Sequence, residues 1–372
     1  MFEKVNEYVK EKLIHGKHVP YIDILVKKDH QMIYRYMDGV KYIPTGKEIL
    51  YMYSCTKPIT AVCAMQLIKE GKLSLEDEVS KYLPEYNDVF LLDKNRNQIK
   101  PKNKIKIKHL LTMTAGLTYD RETQAIKDLL KQTNGNATTR QMVCAFAKNP
   151  LAFEPGTDFL YSLCLDVLGA IIEVVSGLSF GQYVQKNVLL PLKMNNCTFD
   201  EKRFAGKIMQ CFTCKNVEYV PDDLFHLMKL SNNYESSGGG LIGTVEDYSI
   251  FADTLACGGI SDTGYELLDK KHILLMSSEQ VSKLSVNNSF TCIQGQDYGY
   301  GYGVRTRKKA LAEGVPVGEF GWDGAAGSYV LIDAKNKISI TIGMNLLNWP
   351  NVFNGEHLNI VKLIYQDLFF NN

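Results

Sequence analysis

Strand patterns near both ends of the chain, on either side of a long helical middle, constrain the fold most strongly. The four strand-like runs are residues 21–27, 30–36, 328–333 and 338–344. Helical patterns occupy residues 2–14 and 357–370, and residues 58–253 are mostly helical patterns and loops. This order predicts an α/β (α+β) fold: an antiparallel sheet built from both chain termini, flanked by helices, with an inserted mainly helical region.

The same patterns predict where turns and domain parts lie. The first hairpin should turn at Lys28-Asp29 and the last at residues 334–337. No repeat or low-complexity linker interrupts the chain. We therefore expect a single domain over residues 1–372, with an α/β part at about 1–57 and 254–372 and a helical part at about 58–253.

Charge and cysteine content exclude some classes of function. The chain has 42 Lys and Arg against 41 Asp and Glu, so a net charge of +1 gives no electrostatic footprint for nucleic acid. The N-terminal residues lack the uncharged core of a signal peptide, and no stretch reaches membrane-spanning length. Nine scattered cysteines indicate a reducing compartment. We expect a cytoplasmic protein with no nucleic-acid partner and no membrane span.

The single C-x-x-C, from Cys211 to Cys214, bears on metal and redox chemistry. A structural zinc site needs a second pair of ligands at suitable spacing, and the sequence offers none. We therefore expect no zinc site at this pair, and a redox role stays open.

Ser54-Cys-Thr-Lys57 is the only S-x-x-K in the chain. A buried-helix pattern over residues 58–69 follows it, which places Ser54 at a helix N-terminus. Residues three apart on a helix share a face, so the Lys57 ammonium can approach the Ser54 hydroxyl. A serine becomes a nucleophile when a neighbouring base takes its proton. The motif alone leaves open a second interpretation, a serine cap beside a solvated lysine.

A rival serine motif occurs at Gly177-Leu-Ser179-Phe-Gly181, which matches G-x-S-x-G. That motif needs a strand before the serine and a helix after it, yet helical patterns lie on both sides. Ser179 with Gln182 three residues later is typical of a helix capping box. We therefore predict that Ser179 is a structural N-cap.

Two later segments carry candidate partners for Ser54. Tyr161 follows a Pro-Gly turn, and a phenol beside an ammonium is a suitable general base, although a core tyrosine is the commoner role among 21. Residues 320–328 are rich in glycine and precede a strand. Their backbone N–H groups would suit an oxyanion hole shared with Ser54, and an ordinary glycine-rich turn fits nearly as well.

The three elements, in this order, resemble the serine β-lactamase and penicillin-binding protein superfamily, in particular its class C and esterase branch. Further stretches similar to that branch are residues 109–117, 191–194, 238–244 and 300–303. The resemblance covers roughly residues 21–369 and implies a β-lactamase-like catalytic domain. It implies that Ser54 is the acylated nucleophile, that Lys57 is its proton-transfer partner and that Tyr161 shares the general-base role.

Two departures from the family pattern bear on the substrate. Trp322-Asp323-Gly324 stands where the family has K-T-G or H-x-G, which implies substrate contacts from Trp322 and Gly324 and a second oxyanion N–H from Ala325. Leu163 stands where Y-x-N has its Asn. Trp322 takes the place of a cationic side chain, and Leu163 takes the place of an amide side chain. Both changes make the pocket more apolar and less suited to an anionic amide substrate.

The resemblance implies a serine hydrolase that forms an acyl-enzyme on Ser54 and acts on a small ester or amide, with no metal and no cofactor. A carboxylic ester is favoured because of Leu163 and Trp322. A β-lactamase or D-amino-acid (DD-) peptidase is the alternative, and transfer of the acyl group to a small alcohol or amine is also open. An alternative of another class is a catalytically silent, acylatable binding or sensor domain.

Overall fold

The computed structural model describes residues 2–215, 218–222, 229–282, 284, 297–347 and 355–370. Its α-helices are α1 (Glu3–Tyr8), α2 (Thr56–Lys69), α3 (Ile107–Leu111), α4 (Gln124–Gln132), α5 (Thr139–Phe146), α6 (Cys164–Ser176), α7 (Phe180–Val184), α8 (Val245–Ala256), α9 (Lys270–Ser277) and α10 (His357–Phe369). Its strands are β1 (Tyr21–Lys28), β2 (Gln31–Gly39), β3 (Leu50–Tyr51), β4 (Leu91–Leu92), β5 (Gln98–Ile99), β6 (Phe212–Lys215), β7 (Glu218–Pro221), β8 (Ile242–Gly243), β9 (Tyr298–Tyr300), β10 (Arg305–Arg307), β11 (Phe320–Asp323), β12 (Tyr329–Asp333), β13 (Ile338–Gly343) and β14 (Leu346–Leu347). Shorter 3₁₀ segments are Tyr53–Cys55, Val79–Lys81, Pro84–Asn87 and Glu201–Phe204, and π-helical segments are Val9–His15 and Gln185–Leu189.

The main sheet joins strands from both ends of the chain. Its seven strands run in the order β2-β1-β13-β12-β11-β10-β9, and each neighbouring pair is antiparallel. The N-terminal strand β1 pairs with the C-terminal strand β13, with Asp23 opposite Gly343 and Lys28 opposite Ile338. The predicted fold class, an antiparallel sheet built from both termini, is confirmed.

Strand β1 is buried on both faces because helices cover each side of the sheet. Ile22, Ile24 and Val26 pack in a core that also holds residues of α1 and α10. Tyr21 and Leu25 pack in the larger core that contains α2 and α6. Successive side chains of a strand point to opposite faces, so a nearly continuous apolar run in β1 serves both cores.

The first hairpin turns one residue later than predicted. β1 continues through Lys28, which pairs with Gln31 of β2, so the loop residues are Asp29 and His30. Both have positive φ, 49° and 69°, as a two-residue type I′ hairpin loop requires. The prediction of a turn at Lys28-Asp29 was wrong because Lys28 still has a strand partner.

The last hairpin and the terminal helices follow the predicted pattern closely. Asp333 pairs with Ile338, which leaves residues 334–337 as the loop between β12 and β13. The closing helix α10 ends at Phe369, and the predicted N-terminal helix is split into α1 and a π-helical segment, Val9–His15. Local period and turn chemistry predict these elements well because both are patterns of residues that are neighbours in the chain.

The inserted region is mainly helical, with short strands that the sequence patterns did not predict. β14, near the C-terminus, pairs in parallel with β6 of the inserted region. The predicted division after residue 253 falls inside α8, which packs against β1, β12 and β13. Within the described residues no single helix is long and apolar enough to cross a membrane; only α6 taken with Phe180–Leu189 has the length and composition, and that pair is bent by 73°.

Ser179 is the N-cap of α7, as predicted. Its hydroxyl accepts a hydrogen bond from the Gln182 N–H at 3.3 Å, and its own N–H donates to Gln182 Oε1 at 3.1 Å. These two bonds form a capping box. The G-x-S-x-G match therefore has a structural explanation in the helix that it begins.

Ser179→Ala is expected to lower the free energy of unfolding by about 1 kcal/mol, the usual loss when an N-cap hydroxyl is removed, and to leave turnover unchanged. Urea unfolding and ester hydrolysis measure the two effects. Thr138→Ala is the matched control, because Thr138 caps α5 through the same type of box with Gln141. Loss of turnover in a folded Ser179→Ala protein, with Thr138→Ala active, would contradict the structural assignment.

Candidate active site

Ser54 lies on a tight turn between the short strand β3 and helix α2. β3 pairs with β8 just before this turn, and the 3₁₀ segment Tyr53–Cys55 leads directly into α2. Tyr53 has a φ of 45°, a left-handed conformation that an L-residue adopts at a cost. Its side chain is 2% exposed, so packing holds this conformation. The Ser54 side chain remains partly exposed and accessible to a substrate.

Lys57 is completely buried and directed at Ser54. Its side chain is 0% exposed. Nζ donates hydrogen bonds to Ser54 Oγ at 3.0 Å, to the Gly238 carbonyl at 2.6 Å and to Tyr119 Oη at 3.2 Å. The predicted approach of the ammonium to the serine hydroxyl is therefore present, and the lysine is fixed by partners on two other segments.

Tyr161 contacts Lys57 through its ring. Lys57 Nζ lies 4.7 Å from the centroid of the Tyr161 ring, within the range of a cation–π contact. The Tyr161 hydroxyl accepts a hydrogen bond from Trp322 Nε1 at 3.0 Å, and the two rings stack with centroids 5.2 Å apart. Tyr161 and Trp322, predicted from separate motifs, are thus brought together beside the lysine.

Tyr119 is a site residue that the sequence reasoning missed. Its hydroxyl accepts from Lys57 and also hydrogen-bonds to Tyr161. Burial raises the pKa of Tyr119 well above its usual value, and the nearby Tyr161 and Asp166 raise it further. A tyrosine 62 residues away from Lys57 gives no signal in a search by short spacing, although it lies two residues after the 109–117 stretch.

The third motif begins on β11 and continues into a turn that is tied to the Ser54 segment. The Gly324 N–H donates to the Ser328 carbonyl at 2.7 Å, and Ser328 Oγ donates to the Met52 carbonyl at 2.8 Å. A Cβ at residue 324 would clash with both Ser328 Oγ and the Met52 carbonyl, so the close approach requires glycine. Ala325, partly buried, packs against the cluster that contains Tyr53.

Leu163 lies at the N-cap of α6 and belongs to the core. It is 2% exposed and, with Leu117 and Phe146, borders a very small cavity. The structure thus fills this position with apolar packing. The Leu163 side chain therefore offers no hydrogen-bond donor or acceptor at the position where the family's Y-x-N motif has an asparagine.

A comparison with family models identifies the class of protein to which this arrangement belongs. The Beta-lactamase family model matches residues 18–363. The chain belongs to the Beta-lactamase family. Its fold and family are those of serine hydrolases, in agreement with the resemblance carried by the three motifs.

Individual relatives of this Beta-lactamase family member include proteins of several kinds. Protein Rv1367c of Mycobacterium tuberculosis is 27% identical over 310 residues, which are 79% of this chain and 77% of that protein. Esterase EstB of Burkholderia gladioli is 31% identical over 195 residues, 49% of this chain and 48% of the esterase. EstCE1, described as a hydrolase with promiscuous acyltransferase activity, has a similar fold, with a TM-score of 0.79, 24% identity and coverage of 98% of each chain.

One cluster of metal-binding residue types lies away from the Ser54 centre of this Beta-lactamase family member. His30 Nδ1 is 2.9 Å from Asp253 Oδ2, and Cys257 Sγ is 3.9 Å from Asp253 Oδ1. Lys27 Nζ lies 3.3 Å from the same carboxylate, which therefore already has a cationic partner. The eight cysteines within the described residues are free thiols, Cys211 and Cys214 among them. The expectation of no metal and no cofactor stays a prediction.

Proposed function

We propose that this Beta-lactamase family member hydrolyses carboxylic esters through an acyl-enzyme on Ser54. The observation that carries the proposal is the 3.0 Å hydrogen bond between the buried Lys57 Nζ and Ser54 Oγ. A lysine held at this distance is in reach of the serine proton. The partly exposed serine beside it is in reach of a substrate carbonyl.

In the acylation step, Ser54 Oγ attacks the ester carbonyl carbon, and its proton passes to the amine form of Lys57, in which Nζ accepts from Ser54 Oγ the hydrogen bond that the ammonium donates. The tetrahedral intermediate has its negative charge on the former carbonyl oxygen, and the N–H groups of Ser54 and Ala325 would stabilise it as an oxyanion hole. The C–O bond to the leaving alcohol then breaks. That alkoxide takes up the proton by way of Lys57 and the adjoining hydroxyls of Tyr161 and Tyr119.

In the deacylation step, a water molecule takes the place of the alcohol. The same lysine–tyrosine group accepts a proton from the water, the hydroxide attacks the acyl carbon, and the bond to Ser54 Oγ breaks with return of the proton to the serine. The products are a carboxylic acid and the original enzyme. A small alcohol or amine in place of water would give acyl transfer instead.

The preference for a neutral ester rests on the third and second motifs. Trp322 is 3% exposed and its indole N–H is already bonded to Tyr161, so this position provides no cation for a substrate carboxylate. Leu163 provides no amide for a peptide bond. The ester hydrolases among the relatives support the preference for an ester. A β-lactamase or DD-peptidase would need other residues to bind the substrate carboxylate and the substrate amide.

Hydrolysis of short-chain nitrophenyl esters and of a chromogenic cephalosporin, with wild type and Ser54→Ala side by side, tests the proposal. We expect ester turnover that Ser54→Ala abolishes, with little cleavage of the cephalosporin. Fast cephalosporin cleavage would favour the β-lactamase alternative. Stoichiometric acylation of Ser54 without repeated turnover would favour a silent, acylatable sensor domain. Ester turnover that survives in Ser54→Ala would reject Ser54 as the nucleophile.

A further inference from the structure

Asp166 is a buried carboxylate directly behind the segment that holds Lys57. It lies in the first turn of α6 and is 0% exposed. The acylation and deacylation steps described above give it no task. A carboxylate is rarely buried unless it has partners, so its contacts indicate what it does.

The partners of Asp166 converge on the segment that contains Gly238. Asp166 Oδ1 accepts hydrogen bonds from Tyr234 Oη at 2.5 Å, from Ser236 Oγ at 2.7 Å and from the Gly238 N–H at 3.2 Å. Hydrogen bonds of this kind stabilise an ionised carboxylate. Asp166 therefore fixes the 234–238 segment from the side opposite to Lys57.

Gly238 connects the carboxylate to the lysine within a single residue. Its N–H donates to Asp166, and its carbonyl accepts the 2.6 Å hydrogen bond from Lys57 Nζ. A Cβ at this position would clash with Asp166 Oδ2. The absence of a side chain lets the negative and positive charges approach each other from the two sides of one glycine.

We propose that Asp166 is a positioning residue for the Ser54 centre, which holds the Gly238 carbonyl against Lys57 and supplies the buried negative charge that the ammonium faces. This inference rests on the proposed ester hydrolase function. In this proposal, proton transfer between Ser54 and Lys57 depends on the charge of Asp166 as well as on the hydrogen bond between the two residues.

Several ionisable groups lie around Asp166, on α6 itself and on the segments packed against it. The charge of Asp166 acts on Tyr119, Cys164 and Tyr234. Lys57 shares Gly238 with it, Tyr161 contacts Tyr119, and the charge of Arg121 acts on Tyr234. Lys57 is the buried cation among them. The charge of Asp166 favours the protonated form of Tyr119 and of Tyr234, because a negative charge stabilises a nearby proton.

The direction of the resulting pH effect does not depend on which group accepts the Ser54 proton. A nearby negative charge stabilises a bound proton, so its removal makes the deprotonated base easier to form, whether that base is an amine or a phenolate. The acid limb of the kcat/KM profile reports the base in the free enzyme, so in both cases this limb moves to lower pH.

Asp166→Asn tests the inference, because the amide oxygen keeps the three acceptor contacts and only the charge is lost. The pH dependence of kcat/KM for a nitrophenyl ester should shift its acid limb down by about one pH unit or more, the effect of one nearby charge. Asp247→Asn is the matched control, since Asp247 is also buried but accepts from Asn196 instead. Its acid limb should coincide with that of wild type.

Asp166→Ser, which also removes the charge but keeps a hydroxyl, is the second variant and should show the same shift. An unmoved acid limb in folded Asp166→Asn or Asp166→Ser, even with a lower rate, would overturn the inference. Failure of both neutral variants to fold would also overturn it, in favour of a purely structural carboxylate. Wild-type turnover that persists in Ser54→Ala is a separate outcome, which rejects the proposed function itself.

Discussion

Lys57→Ala is expected to lower kcat/KM for a nitrophenyl ester by about 10²–10⁴-fold, the contribution of a positioned general base. The lysine is 0% exposed and its Nζ lies 3.0 Å from Ser54 Oγ, while alanine has no group to accept the serine proton. The loss corresponds to roughly 3–5 kcal/mol of transition-state stabilisation. Steady-state kinetics on purified, folded protein measure it.

Lys69→Ala is the matched control for that experiment. Lys69 is the last residue of α2, the helix that also carries Lys57, but it pairs with Glu266 and Asp269 at the surface. Its removal takes away the same charge from the same helix without touching the Ser54 centre, so kcat/KM should remain near the wild-type value. Near-normal rates in Lys57→Ala would exclude the lysine as the base, and equal losses in the two variants would point to damage to α2.

Short-range patterns explain why much of this site could be predicted from the sequence. Ser54 and Lys57 are three residues apart at the start of one helix, and helical geometry alone brings their side chains together. The capping box at Ser179 is an equally local pattern. The sheet was predictable for a related reason, since the apolar run of β1 and the loop between β12 and β13 are patterns of neighbouring residues.

Long-range contacts explain what the sequence did not predict. Lys57 reaches Gly238 across 181 residues and Tyr119 across 62, and no local period connects these positions. The first hairpin turn was misplaced by one residue because a lysine or an aspartate can begin a turn, and the pairing of Lys28 with Gln31 decides between them. Such contacts are set by how helices and sheet pack, which only the folded chain specifies.

A buried ionic network behind Trp322 is another feature without a sequence signal. Arg305, Arg307 and Glu319 are each at most 2% exposed, although charged residues are mostly found at the surface. Glu319 accepts from Arg305 Nη2 at 3.2 Å and from Arg307 Nε at 3.1 Å. Because Glu319 directly precedes β11, which carries Trp322, this network supports the strand that borders the Ser54 centre.

Glu319→Gln is therefore expected to lower the free energy of unfolding by about 3–5 kcal/mol, the usual cost of leaving a buried charge without its partner. Glutamine has nearly the same shape, but its NH₂ group would face a guanidinium as a second donor. Arginine stays charged in proteins, so neither Arg305 nor Arg307 can neutralise itself. Reversible urea unfolding, with the slope checked to be unchanged, measures the difference.

Glu76→Gln is the control that separates burial from charge. Glu76 also pairs with two cations, Lys106 and Lys108, at 2.8 and 2.7 Å, but its side chain is 60% exposed. Water solvates all three groups once the pair is broken, so this variant should lose at most about 1 kcal/mol. Similar losses in Glu319→Gln and Glu76→Gln would contradict the argument, because the two sites have comparable contacts and differ mainly in their access to solvent. A large loss of unfolding free energy in Glu319→Gln alone would mean that β11, which carries Trp322, is stabilised by ion pairs that water cannot replace.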